Sequence, residues 1–147
     1  MTKAIGFLNL HDDLDLGPLT TNRSIASTSF LGRYALMDFQ MSNFSNSGID
    51  EIGVLLKQNI RSLVRHMGFG HSWIDNTKIG KVSIMYDEPY ANNLAYNHDI
   101  NNFIENKWVL EQSSADIVVI APAHIINKID YRPIIECEWL LDDSREA

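Results

Sequence analysis

The chain has 147 residues, with 19 acidic and 12 basic side chains and a formal net charge of −7. Its 45% hydrophobic and 21% charged residues are ordinary for a globular protein, and the length fits one domain with a core large enough to fold alone. The acidic balance argues against non-specific binding to nucleic acid or anionic membranes, which both want Lys and Arg on the contact face.

No apolar stretch reaches the roughly 18–20 residues needed to span a bilayer. The N-terminal apolar run meets Asn9 and His11-Asp12-Asp13 too early for a secretory signal. Cys137 is the only cysteine, which excludes a disulfide framework and a Cys-rich zinc site and makes a reducing cytoplasm the default.

Taken in chain order, Ala4-Ile5-Gly6-Phe7-Leu8 reads as a buried strand. Asn9 to about Arg33 reads as a long irregular connection, marked by Gly17-Pro18, Gly32 and a Ser/Thr/Asn-rich centre. Tyr34 to Asn46 reads as a helix carrying Leu36, Met37, Met41 and Phe44, with Gly48 as its left-handed C-terminal stop. Ile52–Leu56 is a second strand, followed by a helix face of Ile60, Leu63, Val64 and Met67 that Gly68-Phe69-Gly70 breaks. Lys81–Tyr86 alternates as a third strand. Asn97 to about Gln112 is expected as one helix with Ile100, Phe103, Ile104 and Trp108 on one side. Asp116–Ala121 is a fourth strand, apolar enough to be expected under cover on both faces. Such alternation implies βαβ units and a mostly parallel α/β sheet.

Three segments carry a family resemblance. They are Gly17-Pro18-Leu19-Thr20-Thr21-Asn22-Arg23, Gly32 to Ile49 (GRYALMDFQMSNFSNSGI), and His124-Ile125-Ile126-Asn127-Lys128-Ile129-Asp130-Tyr131. Together they resemble the N-terminal part of glucose-1-phosphate adenylyltransferase (ADP-glucose pyrophosphorylase), whose middle motif runs G-K-Y-R-I-I-D-F-x-L-S-N-x-x-N-S-G-I. The resemblance covers roughly residues 3 to 135 and implies a Rossmann-like nucleotidyltransferase fold with a mostly parallel sheet. The activity it implies joins ATP and glucose 1-phosphate into ADP-glucose and pyrophosphate, for glycogen or starch synthesis. Members are much longer and end in a left-handed β-helix, so this chain is expected to be an N-terminal portion. Residues 1–135 are expected to form the nucleotidyltransferase-like part and residues 136–147 a divergent acidic tail.

The departures from the pattern bear on function. The family's glycine-rich loop, G-G-x-G-T-R-L-x-P-L-T, lets backbone N–H groups cradle a triphosphate. Aligned on Leu16-Gly17-Pro18-Leu19-Thr20, its three glycines become Leu10, His11 and Asp13, and its arginine becomes Asp15; Asp12 adds another carboxylate. Each like-charge contact at ~4 Å costs about 1 kcal/mol in water and several times more in a cleft. The R-A-K-P-A motif becomes Arg23-Ser24-Ile25-Ala26-Ser27, so Ile25 replaces a phosphate-binding lysine. The purine-reading L-P-A-Q-Q falls near Ile84-Met85-Tyr86-Asp87-Glu88 without its glutamines. G-T-A-D becomes Tyr96-Asn97-His98-Asp99, keeping only Asp99. G-D-H becomes Pro122-Ala123-His124, where Ala123 has no oxygen for the Mg²⁺ that active members bind.

Nucleotidyl transfer depends on positioning and on electrostatic stabilisation by metal and basic groups, and all of these are depleted here. The pattern is similar to the second, non-catalytic GlgD-type subunit of the bacterial enzyme. No catalytic residue, metal ligand or cofactor is therefore expected in this chain. Substrate-binding remnants are Gly17, Arg23 and Asp99, with Arg33 a further anion contact. Activator-binding positions carry neutral Asn22, Ser29 and Ala35. The implied partner is the catalytic subunit, in a hetero-oligomer, with a sugar phosphate or nucleotide as ligand.

Two alternatives stand beside the regulatory reading: an active nucleotidyltransferase with a rearranged site, and a sensor of a sugar phosphate or nucleotide. Asp12, Asp13 and Asp15 lack the spacing of a calcium loop. His11, His66, His71, His98 and His124 lack metal-ligand spacing. Asp38 is expected to serve structure, at the first turn of its helix. Phe69, Trp73 and Tyr90 are read as packing or interface aromatics.

Overall fold

A computed structural model describes residues 2–10, 15–56, 60–68, 80–86 and 99–143. His11, Asp12, Asp13, Phe69, Gly70, His71, Trp73, Asp87, Glu88, Tyr90, Tyr96, Asn97 and His98 lie outside the described residues. The same holds for the side chains of Ile60, Tyr86 and the C-terminal end from residue 138.

Four strands, β1 (Ala4–Asn9), β4 (Glu51–Leu56), β5 (Lys81–Tyr86) and β6 (Ile117–Pro122), form one fully parallel sheet in the order β5-β4-β1-β6. A small antiparallel hairpin, β2 (Ser29–Phe30) and β3 (Tyr34–Ala35), interrupts the connection after β1. The helices are α1 (Leu36–Asn46), α2 (Ile60–Met67), α3 (Ile100–Glu105), α4 (Trp108–Gln112) and α5 (Arg132–Asp143). The sheet order, with β1 central and the chain departing to either side, is that of a Rossmann-like sheet. No described helix is long and apolar enough to cross a membrane.

Strand alternation divides the core into two layers. Leu8, Ile52, Val54 and Leu56 face Met37, Met41 and Phe44 of α1, Leu63 of α2, and Tyr131 and Ile135. Ile5, Phe7, Leu55 and Met85 face Phe103 and Val109 on the other side. Two glycines permit this packing. A Cβ on Gly6 would meet the Phe44 ring at 2.9 Å, and one on Gly53 would overlap the Phe7 ring. Phe7 also meets Phe103 edge-on, with centroids 5.0 Å apart.

Several sequence expectations are corrected. The helix expected from Tyr34 begins at Leu36, because Tyr34 and Ala35 pair with Phe30 and Ser29 as a strand. Its stop is as expected: Gly48 takes φ +76° just past the helix end. The helix expected over 97–112 is two short helices, α3 and α4, separated at Asn106 and Lys107. Of the expected apolar stripe only Phe103 packs against the core; Ile100, Ile104 and Trp108 are exposed. Instead Asn102 is buried, and its Nδ2 donates to the carbonyls of Leu56 (3.3 Å) and Met85 (3.4 Å) at the ends of β4 and β5. Asn106 Nδ2 in turn bonds Asn102 O and Oδ1, both at 3.0 Å.

The fourth strand is not covered on both faces. β6 is an edge strand, and its Val118 and Ile120 are 47% and 55% exposed. Val64 is also exposed, while Leu63 and Met67 enter the core. Helix α5 runs through the boundary expected at residues 135 and 136.

Candidate functional site

In an open parallel sheet, ligands bind outside the carboxyl ends of the strands, where the chain direction of winding reverses. Here that point lies between β1 and β6. Asn9 pairs with Pro122 at the strand ends, and Ala123 N donates to Asn9 O at 3.0 Å. Leu10 and Ala123, two of the degenerate positions, therefore sit side by side at the expected site. Both are buried: Leu10 is 8% exposed and Ala123 0%, and both belong to the layer packed on α1. The residue that the resemblance aligns with the loop's first glycine is thus a core residue, and the one it aligns with a metal ligand is a methyl group in the same core.

The position that the resemblance aligns with a Mg²⁺ ligand does not fit the ion. Ala123 offers no side-chain oxygen, and among the described residues no group of three His, Cys, Asp or Glu side chains is placed to hold a metal.

The described part of the loop begins at Asp15. Its Oδ1 accepts from Gly17 N at 2.7 Å, and Thr20 Oγ1 lies 3.4 Å away. Thr20 Oγ1 also accepts from Leu16 N at 2.9 Å. Gly17 takes φ +61°, a conformation glycine adopts without steric cost, and starts a 3-10 turn, Gly17–Leu19. The arrangement is a carboxylate held by a backbone N–H at a glycine turn. Asp15 thus closes its own turn two residues on, so its side chain is spent on loop geometry.

Ile25 is also buried, at 7% exposure, in a second 3-10 turn, Ile25–Ser27, where Ser24 Oγ accepts from Ala26 N at 3.3 Å. Ser27 Oγ shares a 3.2 Å hydrogen bond with Ser62 Oγ, tying this connection to α2. Ile25, which the resemblance aligns with a lysine, thus faces inward with a hydrocarbon side chain. Arg23 and Arg33 are exposed. Arg33 lies with its guanidinium carbon 5.9 Å from the centroid of the Tyr34 ring. Asp99 is half-buried at the start of α3, close to the ends of β4 and β5 that Asn102 bonds. The fold thus brings Leu10 and Ala123 together, sets Asp99 at the same end of the sheet, and leaves Arg23 and Arg33 on the surface.

Asp38 has the structural role expected of it, and one more. Its Oδ2 accepts from Ala35 N at 2.9 Å, closing the first turn of α1. Its Oδ1 shares a 2.8 Å hydrogen bond with His66 Nε2, joining α1 to α2. Nothing in the 28-residue separation signals that pair.

A polar network missed in the sequence fastens the segment after β6 to α1. Gln40 Nε2 donates to Asn127 Oδ1 (2.7 Å) and Ile125 O (3.3 Å). Asn43 Nδ2 donates to Asn127 Oδ1 (3.0 Å), and Tyr131 OH donates to Gln40 Oε1 (3.0 Å). Burial pushes the Tyr131 phenol pKa up, which keeps that donor protonated. Asp130 and Arg132 close the segment with a two-pronged pair, Nε to Oδ1 at 2.8 Å and Nη2 to Oδ2 at 2.6 Å.

The Arg132 hydrogen bonds hold Asp130 at a pKa of about 2, below its ordinary 3.8. Because the folded value is the lower one, the pair's contribution is present above the unfolded pKa and is lost as pH falls through about 2. An NMR titration should find the Asp130 carboxyl still ionised at pH 3, and Arg132→Gln should return it to the ordinary carboxylate range.

Comparison with known proteins follows the same lines. Residues 15–138 match the Nucleotidyl transferase family. The glucose-1-phosphate adenylyltransferase of Bacillus subtilis (strain 168) is 32% identical over 124 residues, covering 82% of this chain and 32% of that protein. That of Clostridium perfringens (strain 13 / Type A) is 34% identical over 124 residues, 82% of this chain and 31% of that protein. That of Thermosipho melanesiensis is 35% identical over 124 residues, 82% of this chain and 30% of that protein. The chain spans under a third of the length of these relatives.

Proposed function

The chain belongs to the nucleotidyl transferase family, and from that premise we propose that it is a regulatory, catalytically degenerate member of the glucose-1-phosphate adenylyltransferase group. In this reading it pairs with a catalytic chain in the cytoplasm and adjusts that chain's output of ADP-glucose for glycogen synthesis. One observation carries the reading. At the switch point between β1 and β6, Leu10 and Ala123 fill the strand ends with buried hydrocarbon, and further along the loop the Asp15 carboxylate is turned back onto its own backbone at Gly17 N. A triphosphate at that end of the sheet would meet hydrocarbon at Leu10, no metal ligand at position 123, and the negative charge of Asp15 where the family has an arginine. Burial of Ile25 supports the same reading, because a phosphate-binding charge at that position would have to leave the core.

The purified chain, given ATP, glucose 1-phosphate and Mg²⁺, is expected to make no ADP-glucose. Added to the catalytic chain of the same cell, it is expected to change that chain's rate at fixed enzyme concentration. ADP-glucose formation by this chain alone would refute the proposal. The same assay, run beside a calorimetric titration with ATP, separates a silent subunit from one that binds nucleotide tightly.

A further inference from the structure

At the amino-terminal ends of β4 and β5, the opposite end of the sheet from Leu10 and Ala123, α4 roofs a cavity of about 200 Å³. Strand alternation sets Glu51, Lys81 and Ser83 on the face that also carries Leu55 and Met85, so their side chains rise toward α4. Ile5 and Val109, both buried, supply an apolar floor, and the exposed Gln112 stands at the mouth.

The polar groups of this cavity are unspent. Ser83 is 8% exposed, yet among the described residues its hydroxyl makes no hydrogen bond. A buried hydroxyl left unpaired opposes folding, and the space in front of this one is where a partner would stand. Glu51 and Lys81 are register partners on neighbouring strands, yet among the described residues neither belongs to an ion pair. Lys81 turns aside instead: its Nζ lies 5.0 Å from the centroid of the Trp108 ring. Held there, the ammonium keeps its N–H donors for a third group, and the Glu51 carboxylate keeps its acceptors.

These groups select a ligand by charge and size. The lining holds one acid and one base, so a bare anion meets Glu51 and a bare cation meets Lys81. A hydrocarbon would leave Ser83 unpaired. A molecule that carries both charges a few bonds apart satisfies all three groups at once. An apolar cavity of ~150 Å³ takes benzene, so one of about 200 Å³ takes about eight non-hydrogen atoms, the size of a small free amino acid.

We propose that this cavity binds a free α-amino acid with a short side chain. Its ammonium sits on Glu51, its carboxylate between Lys81 and the Ser83 hydroxyl, and its side chain against Ile5 and Val109. The site stands apart from the regulatory reading, because it lies at the other end of the sheet, and either can fail without the other.

An NMR titration of the full chain with L-valine tests it. The amide signals of Glu51, Lys81, Ser83 and Gln112 should shift saturably, with a Kd at or below about 1 mM. Isovalerate, which lacks the ammonium, and isobutylamine, which lacks the carboxylate, should each bind at least about tenfold more weakly. Glu51→Gln should abolish the preference for valine over isovalerate, and Lys81→Met the preference over isobutylamine. Ser83→Ala should weaken valine binding without lowering the thermal midpoint, since its hydroxyl has no partner to lose. Saturation by glycerol but not by valine would make the occupant an uncharged polyol and overturn the assignment. Equal binding of valine and isovalerate by the wild type would overturn the amino-acid class. A lowered midpoint in Ser83→Ala would show the hydroxyl serving the fold and overturn its role here. No saturable shift with any of the four probes at about 10 mM would overturn the site itself.

Discussion

Ala123→Asp is expected to destabilise the chain by about 3–5 kcal/mol and to restore no ADP-glucose synthesis. The substitution puts back the oxygen that active relatives are expected to offer a metal, so by sequence alone it looks like a repair. Ala123 is fully buried, however, in the layer formed with Leu8, Leu10 and Met37. A carboxylate there would lose water without gaining a partner, which is among the larger penalties a single substitution can impose. The cost should depend on pH with a definite sign. Burial raises the folded pKa of the introduced carboxyl above its unfolded value of about 3.9. The charge penalty is then absent below the unfolded pKa, grows as pH rises above it, and is complete above the folded pKa. Urea unfolding at pH 4 and pH 7 checks this: the gap to wild type should be wider at pH 7. An equal gap at both values, or recovered activity, would contradict the placement of Ala123.

Gly53→Ala should cost about 1–3 kcal/mol, the range for an extra methyl group forced into a filled core. The position is a mid-strand glycine in β4, and a Cβ there would overlap the Phe7 ring with Met85 Sδ 3.2 Å away. Phe7 has no easy retreat, because it is fully buried and stacked edge-on against Phe103. A second substitution tests the cause. Phe7→Leu is itself destabilising, but it should lessen the effect of Gly53→Ala, so the double variant should be more stable than the two single effects added together. Strict additivity would place the strain elsewhere.

The legible part of this molecule was local. The apolar runs at 4–8 and 52–56 and the alternating run at 81–86 are strands, and Gly48 ends its helix as its left-handed φ requires. The hidden part was non-local. Residues 117–121 are apolar enough for a covered strand, yet strand order makes β6 an edge, and no property of those residues alone decides order. The 97–112 segment shows the same limit. Its apolar stripe at Ile100, Phe103, Ile104 and Trp108 has a helical period, but Asn102 finds buried acceptors 46 and 17 residues away, and only Phe103 of the stripe stays against the core. At the candidate site, sequence matching located Leu10, Asp15, Ile25 and Ala123. It did not tell which of these point into the core and which, like Asp15, bond the loop itself.

That loop bond has a thermodynamic corollary. Where a turn is ordered by an incoming phosphate, its shape follows the concentration of ligand, and the ordering entropy is charged against affinity. The turn at Gly17 is closed instead by a carboxylate two residues away in the same chain, so it forms without a ligand. If the regulatory reading proposed above holds, this turn would keep one shape with or without nucleotide, and any change that nucleotide makes would have to be read elsewhere in the molecule.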